Sequence, residues 1–365
     1  MRRFVPIGLL LAAPALSAQS ISDGSLNAAP QFQSYRFAAP SNETISEFAV
    51  PIYALIPLSQ TLNLDLGSAF ASVQSAYTTN GTKTTSSISG LTDTQLRLNY
   101  AIGTDFVVIT AGVNLPTGRA TATPTEQAAA TLIASDFLAL PITSLGTGVG
   151  GTGGVAMARP LGDWNLGLGV SMRHSAAYNP FQLQTGGDIR YQPGDEFRAR
   201  AGLDHPFGTG RITVGETYSR FGNDMLDSSI YNTGDRWITE LAISNAAPGG
   251  DFLISGWNLF RTNGTLADGS TSGRENVADL AFTYGTNMGN SRVEPTIEAR
   301  AWTQAGVPAS MFGSVGFRVT NQWGAFAVSP SIGYSIGNLA AQSASGSYVR
   351  ANLTGFKAQL AIRLQ

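Results

Sequence analysis

Cysteine is absent from this chain, and lysine and histidine nearly are: Lys83, Lys357, His174 and His205 are the whole complement. No disulfide framework and no thiolate chemistry can be built without cysteine. Two histidines leave little for a metal centre or a Ser-His or Cys-His nucleophile system. Charged residues make up only 13% of the chain, against about 25% in soluble domains. The formal balance of −2 moves to −4 when Arg2 and Arg3 are set aside, which excludes the basic footprint of a nucleic-acid binder. Long apolar runs are also missing. A spanning helix needs about 20 apolar residues, and every run here is soon broken by a polar residue or glycine.

What is abundant is glycine, at 42 residues, together with an export signal. Arg2 and Arg3 precede an apolar run from Phe4 to Leu11, and Leu16-Ser17-Ala18 offers small residues for cleavage. The run is too short for a membrane anchor, so residues 1–18 are expected to be a signal peptide, removed after Ala18. The mature chain, 19–365, reads as one exported domain with no hatch segment ahead of its first strand.

Its pattern has period two. Leu96, Leu98 and Tyr100 alternate with Gln95, Arg97 and Asn99; after a turn at Gly103, Val107, Ile109, Ala111, Val113 and Leu115 share one face. Two such arms around a glycine turn form an antiparallel hairpin. The alternation recurs near 30–37, 45–55, 61–73, 148–159, 164–176, 196–204, 237–244, 252–261, 277–284, 292–302, 311–320, 326–336 and 348–364. In 212–221 it is less clean, because Glu216 falls on the parity of Val214 and Tyr218, which suggests a bulge or a misread strand. Short links near Gly103, Gly162, Gly208, Gly249, Asn290 and Gly324 alternate with long polar ones at 78–92, 119–146, 178–194, 222–235, 262–275 and 337–347. Short turns at one end and long loops at the other define a transmembrane barrel and have no rationale in a soluble sandwich. The expected fold is therefore all-β: an antiparallel transmembrane β-barrel of about sixteen strands, or fourteen, with long outer loops. Aromatics near strand ends, among them Tyr53, Trp164, Trp237 and Trp302, suit an interfacial girdle.

The longest loop, after strand five, carries a helix-start signal. Thr123 is placed as N-cap, Pro124 as first helical residue and Glu126 as capping-box acid. A short helix over 128–140 should follow, ended by Pro141, with Ala129, Ile133 and Phe137 on one stripe. It either folds into the barrel mouth as a constriction, presenting these side chains to a solute, or forms a lid on neighbouring loops. The small residues of 146–154 would let something, such as this helix, pack closely against the wall.

Charges on the polar strand faces are the expected pore lining: Asp65, Arg97, Arg173, Arg198, Arg200, Glu240, Asp279, Glu294, Glu298, Arg300 and Arg318. Interleaved signs could set a transverse field that orients solutes, or could neutralise one another structurally. No catalytic constellation is found: His174 and Ser175 point to opposite faces, and His205 is read into a turn. Asn223, Asp224 and Asp227 lack the spacing of a calcium loop. No cofactor or metal is expected.

The stretch from Gly90 to Gly118, with Gly-Leu-Thr-Asp at its start and Leu-Pro-Thr-Gly at its end, resembles outer-membrane channel proteins of the aromatic-degradation (phenol meta-pathway) family, themselves distantly like fatty acid transporter barrels. That resemblance implies passage of small, often hydrophobic molecules across the outer membrane. The chain departs from fatty acid barrels in lacking an N-terminal hatch, and from the usual assembly signal in ending on Gln365 rather than an aromatic. The expectation is a non-catalytic channel for small molecules, hydrophobic ones among them; a general diffusion porin for hydrophilic solutes and a structural or adhesive barrel are the alternatives. Partners would be outer-membrane lipid and lipopolysaccharide, the solute and the barrel-assembly machinery.

Overall fold

The computed structural model describes residues 24–39, 42–79, 82–103, 107–266, 268–342 and 347–364; the expected signal segment lies outside them. The strands are β1 (Ser25–Ala28), β2 (Gln31–Phe37), β3 (Glu43–Pro57), β4 (Leu62–Thr79), β5 (Thr82–Leu91), β6 (Thr94–Ile102) and β7 (Val107–Leu115). After the short helix α1 (Gln127–Leu132) come β8 (Gly150–Leu161), β9 (Trp164–Ser175), β10 (Tyr178–Gln182), β11 (Asp188–Gln192), β12 (Glu196–Phe207), β13 (Gly210–Phe221), β14 (Asp224–Leu226) and β15 (Ser229–Tyr231). The chain ends with β16 (Arg236–Ala247), β17 (Gly250–Arg261), β18 (Glu275–Met288), β19 (Ser291–Gln304), β20 (Val307–Trp323), β21 (Phe326–Gln342) and β22 (Tyr348–Leu364).

Eighteen strands form one antiparallel sheet. β1 and β2 lie end to end between β3 and β22, and β5 and β6 lie end to end along β4. The sheet therefore has sixteen staves and closes where β22 meets β1 and β2. β10, β11, β14 and β15 form a separate four-stranded sheet from two of the long loops, where loop structure was expected. Residues 78–92, also expected as a loop, are mostly strand, because β4 and β5 run on as a long hairpin beyond the wall's apolar band.

Directly opposed residues of an antiparallel pair share a face, so one assignment propagates round the wall. The row Gly169, Arg200, Thr217, Ile238, Leu259, Val277, Trp302, Ser310 faces inward, with Thr217, Leu259, Val277 and Ser310 buried. Its neighbour Leu168, Ala201, Glu216, Thr239, Asn258, Ala278, Ala301, Met311 faces outward. Exposed Ile297, Met311, Val315, Ile332 and Ile336 mark the same outer face elsewhere, as a lipid-facing band requires. The parity conflict at Glu216 is real and has no bulge behind it. Register runs unbroken on both sides of β13, and the carboxylate faces outward, accepting a 2.7 Å hydrogen bond from Thr239 Oγ1.

The ends of the motif from Gly90 to Gly118 meet as a clasp at the root of the longest insert, 116–149. Asp93 is buried where β5 gives way to β6. Its carboxylate accepts from the Gly118 amide (3.0 Å), the Thr147 amide (2.7 Å) and Asn114 Nδ2 (2.9 Å). Thr117 Oγ1 accepts from the Thr94 amide at 2.8 Å. A Cβ on Gly118 would overlap the Leu145 carbonyl oxygen and the Asp93 amide, so only glycine fits where the insert's two limbs cross. Asp93→Ala would leave the half-buried Gly118 and Thr147 amides without their acceptor, at about 1 kcal/mol each. The expected result is rapid proteolysis within 119–146 while the barrel keeps its heat-resistant mobility on SDS gels.

Candidate functional site in the barrel interior

The helix start is displaced and the helix shortened. Glu126, not Thr123, is the N-cap residue, and α1 ends at Leu132 rather than at Leu140. The reach-back expected of Glu126 is nevertheless made: it accepts from the Thr123 amide at 2.9 Å, and also from Thr123 Oγ1 and Arg119 Nη2. Ser135 starts a fresh turn by accepting from the Leu138 amide at 3.3 Å. Asp136 is drawn to Arg261 of β17 at 2.6 Å. Those two polar residues compete with helix continuation.

The insert lies inside the barrel, against one side of the wall. Ala129, Ile133, Phe137, Leu138 and Leu140 are buried in one cluster with Tyr35, Phe37, Ile45, Ala49, Ala71, Val73, Ile88, Phe312 and Leu353, from β2, β3, β4, β5, β20 and β22. The expected stripe is thus turned into the wall, with Ala129, Ile133 and Phe137 only 0–3% exposed, and does not face a passing solute. Apolar burial wins because the inner faces of those staves are themselves apolar at this level. The backbone of the turns is also held. Gln33 Nε2 and the Tyr35 hydroxyl both donate to the Leu138 carbonyl at 3.1 Å, and the Ile142 amide donates to Glu47 at 2.8 Å. Arg300 Nη1 donates to the Phe137 carbonyl at 3.1 Å.

All eleven expected lining charges lie on the inward face by register, but they do different things. Arg300 is a structural hub, 7% exposed, donating to Asp279 and Glu298 at 2.8 Å each and lying over the Trp257 and Phe312 rings. Glu294 accepts from Arg292 at 3.1 Å, with Arg318 at 3.9 Å, and Arg292 also grips Asp251 at 2.6 Å. Across the barrel, Arg198 pairs with Glu196 at 2.7 Å and Arg200 with Glu240 at 2.6 Å. Asp65 accepts from Asn99 at 2.9 Å. Arg97 and Arg173 make no ion pair within 4.0 Å among the described residues. They occupy the same inward row, separated by Gly112 and Thr152.

Sequence reading missed Gln33, Tyr35, Glu47, Asp93, Asp136 and Arg261. Glu47 falls on the parity of Ile45 and Ala49, so alternation alone reads its face as apolar. The partner of each lies far away in sequence: in the insert or at its root for Gln33, Tyr35, Glu47, Asp93 and Arg261, and in β17 for Asp136.

The side of the barrel facing the insert is lined mainly by small residues. β12 is eight staves from β22, half the circumference. There the inward positions include Gly112, Gly154, Gly167, Gly169, Gly202 and Gly215, with Thr110, Thr152 and Ser171. A Cβ at Gly167 or Gly202 would come within 4 Å of one atom only, a carbonyl oxygen of an adjoining strand. The insert does not cover this wall; α1 packs on β4 and β5. The expected packing of the helix on 146–154 is not found. Gly146 instead lies against Arg119 and Ala120, and Gly148 against Tyr178.

At the rim, Asp224 accepts from the Gly194 amide and Asp227 from the Arg190 amide, so both serve loop geometry. His174 faces outward, 2.6 Å from Asp195. His205 lies in β12, not in a turn, and stacks on Trp164.

A closed sixteen-stave barrel with an apolar outer band and a polar inner wall defines a transmembrane protein of the outer-membrane type. No family model matches the sequence, nor does any curated protein. Among solved structures the chain is similar to an anion-selective porin from Comamonas acidovorans, at 13% identity over 94% of this chain and 99% of that one, TM-score 0.42. It is also similar to the CymD monoaromatic hydrocarbon channel, at 9% over 94% and 88%, TM-score 0.42. A third is an outer membrane channel from Pseudomonas putida F1, at 11% over 97% and 99%, TM-score 0.41. The resemblance to aromatic-degradation channels rests on the motif from Gly90 to Gly118 alone.

Two outcomes follow from the anchoring of the insert. Arg300→Met leaves Asp279 and Glu298 side by side without their cation, at about 3–5 kcal/mol. The temperature at which the compact form unfolds on SDS gels should fall accordingly. At the insert's root, burial works to raise the Glu126 carboxyl, but hydrogen bonds from Thr123 and Arg119 and the Arg119 charge outweigh it and hold it below its ordinary value. A depressed folded-state pKa contributes stability that is present above the ordinary value of 4.5 and is lost as pH falls through the folded value. A spin label at Thr131→Cys should therefore become more mobile on acidification, and adding Glu126→Gln should abolish that pH dependence.

Proposed function

We propose that the protein is an outer-membrane diffusion channel for small polar solutes, whose path runs between the insert and the glycine-lined wall of β7, β8, β9 and β12. The observation that carries this reading is the one-sided placement of the insert: its apolar side chains are buried on the β2–β5 and β20–β22 side, and the opposite inner wall, rich in glycine, is left uncovered by it. Small residues widen the path there, and Thr110, Thr152 and Ser171 replace water around a passing solute. Arg97 and Arg173 are the cations on this side without an acid in contact among the described residues, so the path favours anions over cations of similar size. A hydrophobic route draws no support from a lining of glycine, hydroxyls and arginine. On this reading residues 1–18 direct export, and the barrel-assembly machinery inserts the chain into a membrane that carries lipopolysaccharide.

The test is single-channel recording of the refolded protein in a planar bilayer. A steady conductance is expected, several-fold larger when 120–143 is replaced by a short glycine linker. In a salt gradient the reversal potential should report anion preference, reduced in the Arg97→Gln, Arg173→Gln double variant. Silence from a heat-modifiable, folded barrel would sink the channel, and unaltered selectivity in the double variant would sink the role of the arginines.

A further inference from the structure

One inward row runs from the glycine-lined wall to a stave that grips the insert: Thr110, Gly154, Ser171, Arg198, Ser219, Arg236, Arg261. Three arginines stand in this row on the four adjoining staves β12, β13, β16 and β17. Arg261, at its end, is committed to Asp136 of the insert at 2.6 Å and to Glu275 at 3.2 Å. Arg198 holds Glu196 at 2.7 Å, and its Nε lies 3.3 Å from Ser219 Oγ. Half-buried Arg236, between them, makes no ion pair among the described residues. Its guanidinium lies over the Phe221 ring at 5.5 Å, and its Nε is buried without an acceptor. The acids near it are engaged elsewhere, Glu196 and Asp136 as above and Glu240 with Arg200 at 2.6 Å.

A guanidinium set among other guanidinium groups is costly to leave without a counter-charge. The aromatic contact steadies the cation without an oxygen acceptor, so its fork of N–H donors still lacks the two-point partner that it fits, an oxyanion. We propose that Arg236 and Arg198 form a binding site for the carboxylate or phosphate group of a small solute. The two residues flank Ser219 by one stave each, roughly 10 Å apart at the backbone. Both side chains lean towards β13, Arg198 to Ser219 and Arg236 to Phe221, so the two cations converge over one strand. Phe221 closes β13 and Arg236 opens β16, which puts the site at the long-loop end, where the path between insert and glycine wall begins. The site rests on the channel reading for its role, since it names the group by which a solute is first held; its binding does not depend on current.

Binding is therefore read without a bilayer, from the phosphorus NMR linewidth of inorganic phosphate added to the refolded barrel in detergent. The wild type should broaden the line saturably. Succinate should reverse the broadening, and chloride at the same ionic strength should not. Arg236→Gln should raise the phosphate dissociation constant by roughly tenfold, as loss of a charge-assisted pair of hydrogen bonds implies, with the heat-modifiable mobility of the barrel retained. Lys357→Gln, which removes another inward cation opposite Gln33, should leave the constant unchanged. No broadening by the wild type, displacement by chloride as effective as by succinate, a constant indifferent to Arg236→Gln, or an equal loss in Lys357→Gln would each overturn the assignment. A silent barrel that binds phosphate through Arg236 would sink the channel and keep this site; a conducting barrel that does not bind it would do the reverse.

Discussion

Inside a bilayer a backbone N–H finds no water, and the pairing of β22 with both β1 and β2 is what frees this chain from that penalty. Closure leaves no edge, so every stave hydrogen-bonds on both sides and the wall can stand in lipid without helices. It also fixes parity. Once the register is set all the way round, each side chain is committed to lipid or to the interior, and the chemistry of the two faces diverges. Outside are Leu, Ile, Val, Phe and Met; inside are arginine–carboxylate networks, hydroxyls and glycines.

The interior is then divided by the insert. Arg300, Arg261, Glu47, Gln33 and Tyr35 hold its backbone and its Asp136 from one side, while Asp93 clamps both its limbs at the root. These are buried polar contacts in which every partner is needed, because a lone buried charge or amide is expensive. Such a network specifies position more than it adds net stability. Here that position keeps the apolar side chains of 129–140 against the wall and leaves the glycine side uncovered.

Much of this architecture was legible from alternation and loop length. Period-two runs and alternating short and long links identify a closed barrel, because membrane thickness sets strand length and exported topology puts long loops at one end. The inward parity of the charges was legible for the same reason: Arg97, Arg200 and Glu298 alternate with apolar neighbours in clean strands. What was hidden depends on contacts between distant segments. The extent of α1 was misjudged because Ser135 and Asp136 find partners in their own turn and in β17, which propensity does not record. The burial of Ala129, Ile133 and Phe137 depends on the inner faces of β2–β5 being apolar. Glu47 reads as misplaced until Ile142 supplies its donor, and Glu216 reads as a bulge although the register is regular.

The central claim is that water and solute pass along the β8–β9 wall and not along the insert's apolar stripe. Single-cysteine variants at Gly169 and Ile133 test it most directly, each exposed to a charged, membrane-impermeant thiol reagent during single-channel recording. The account predicts that the Gly169→Cys channel is modified and its current drops, while Ile133→Cys, buried against the wall, does not react. Reaction and block at Ile133→Cys with none at Gly169→Cys would contradict it.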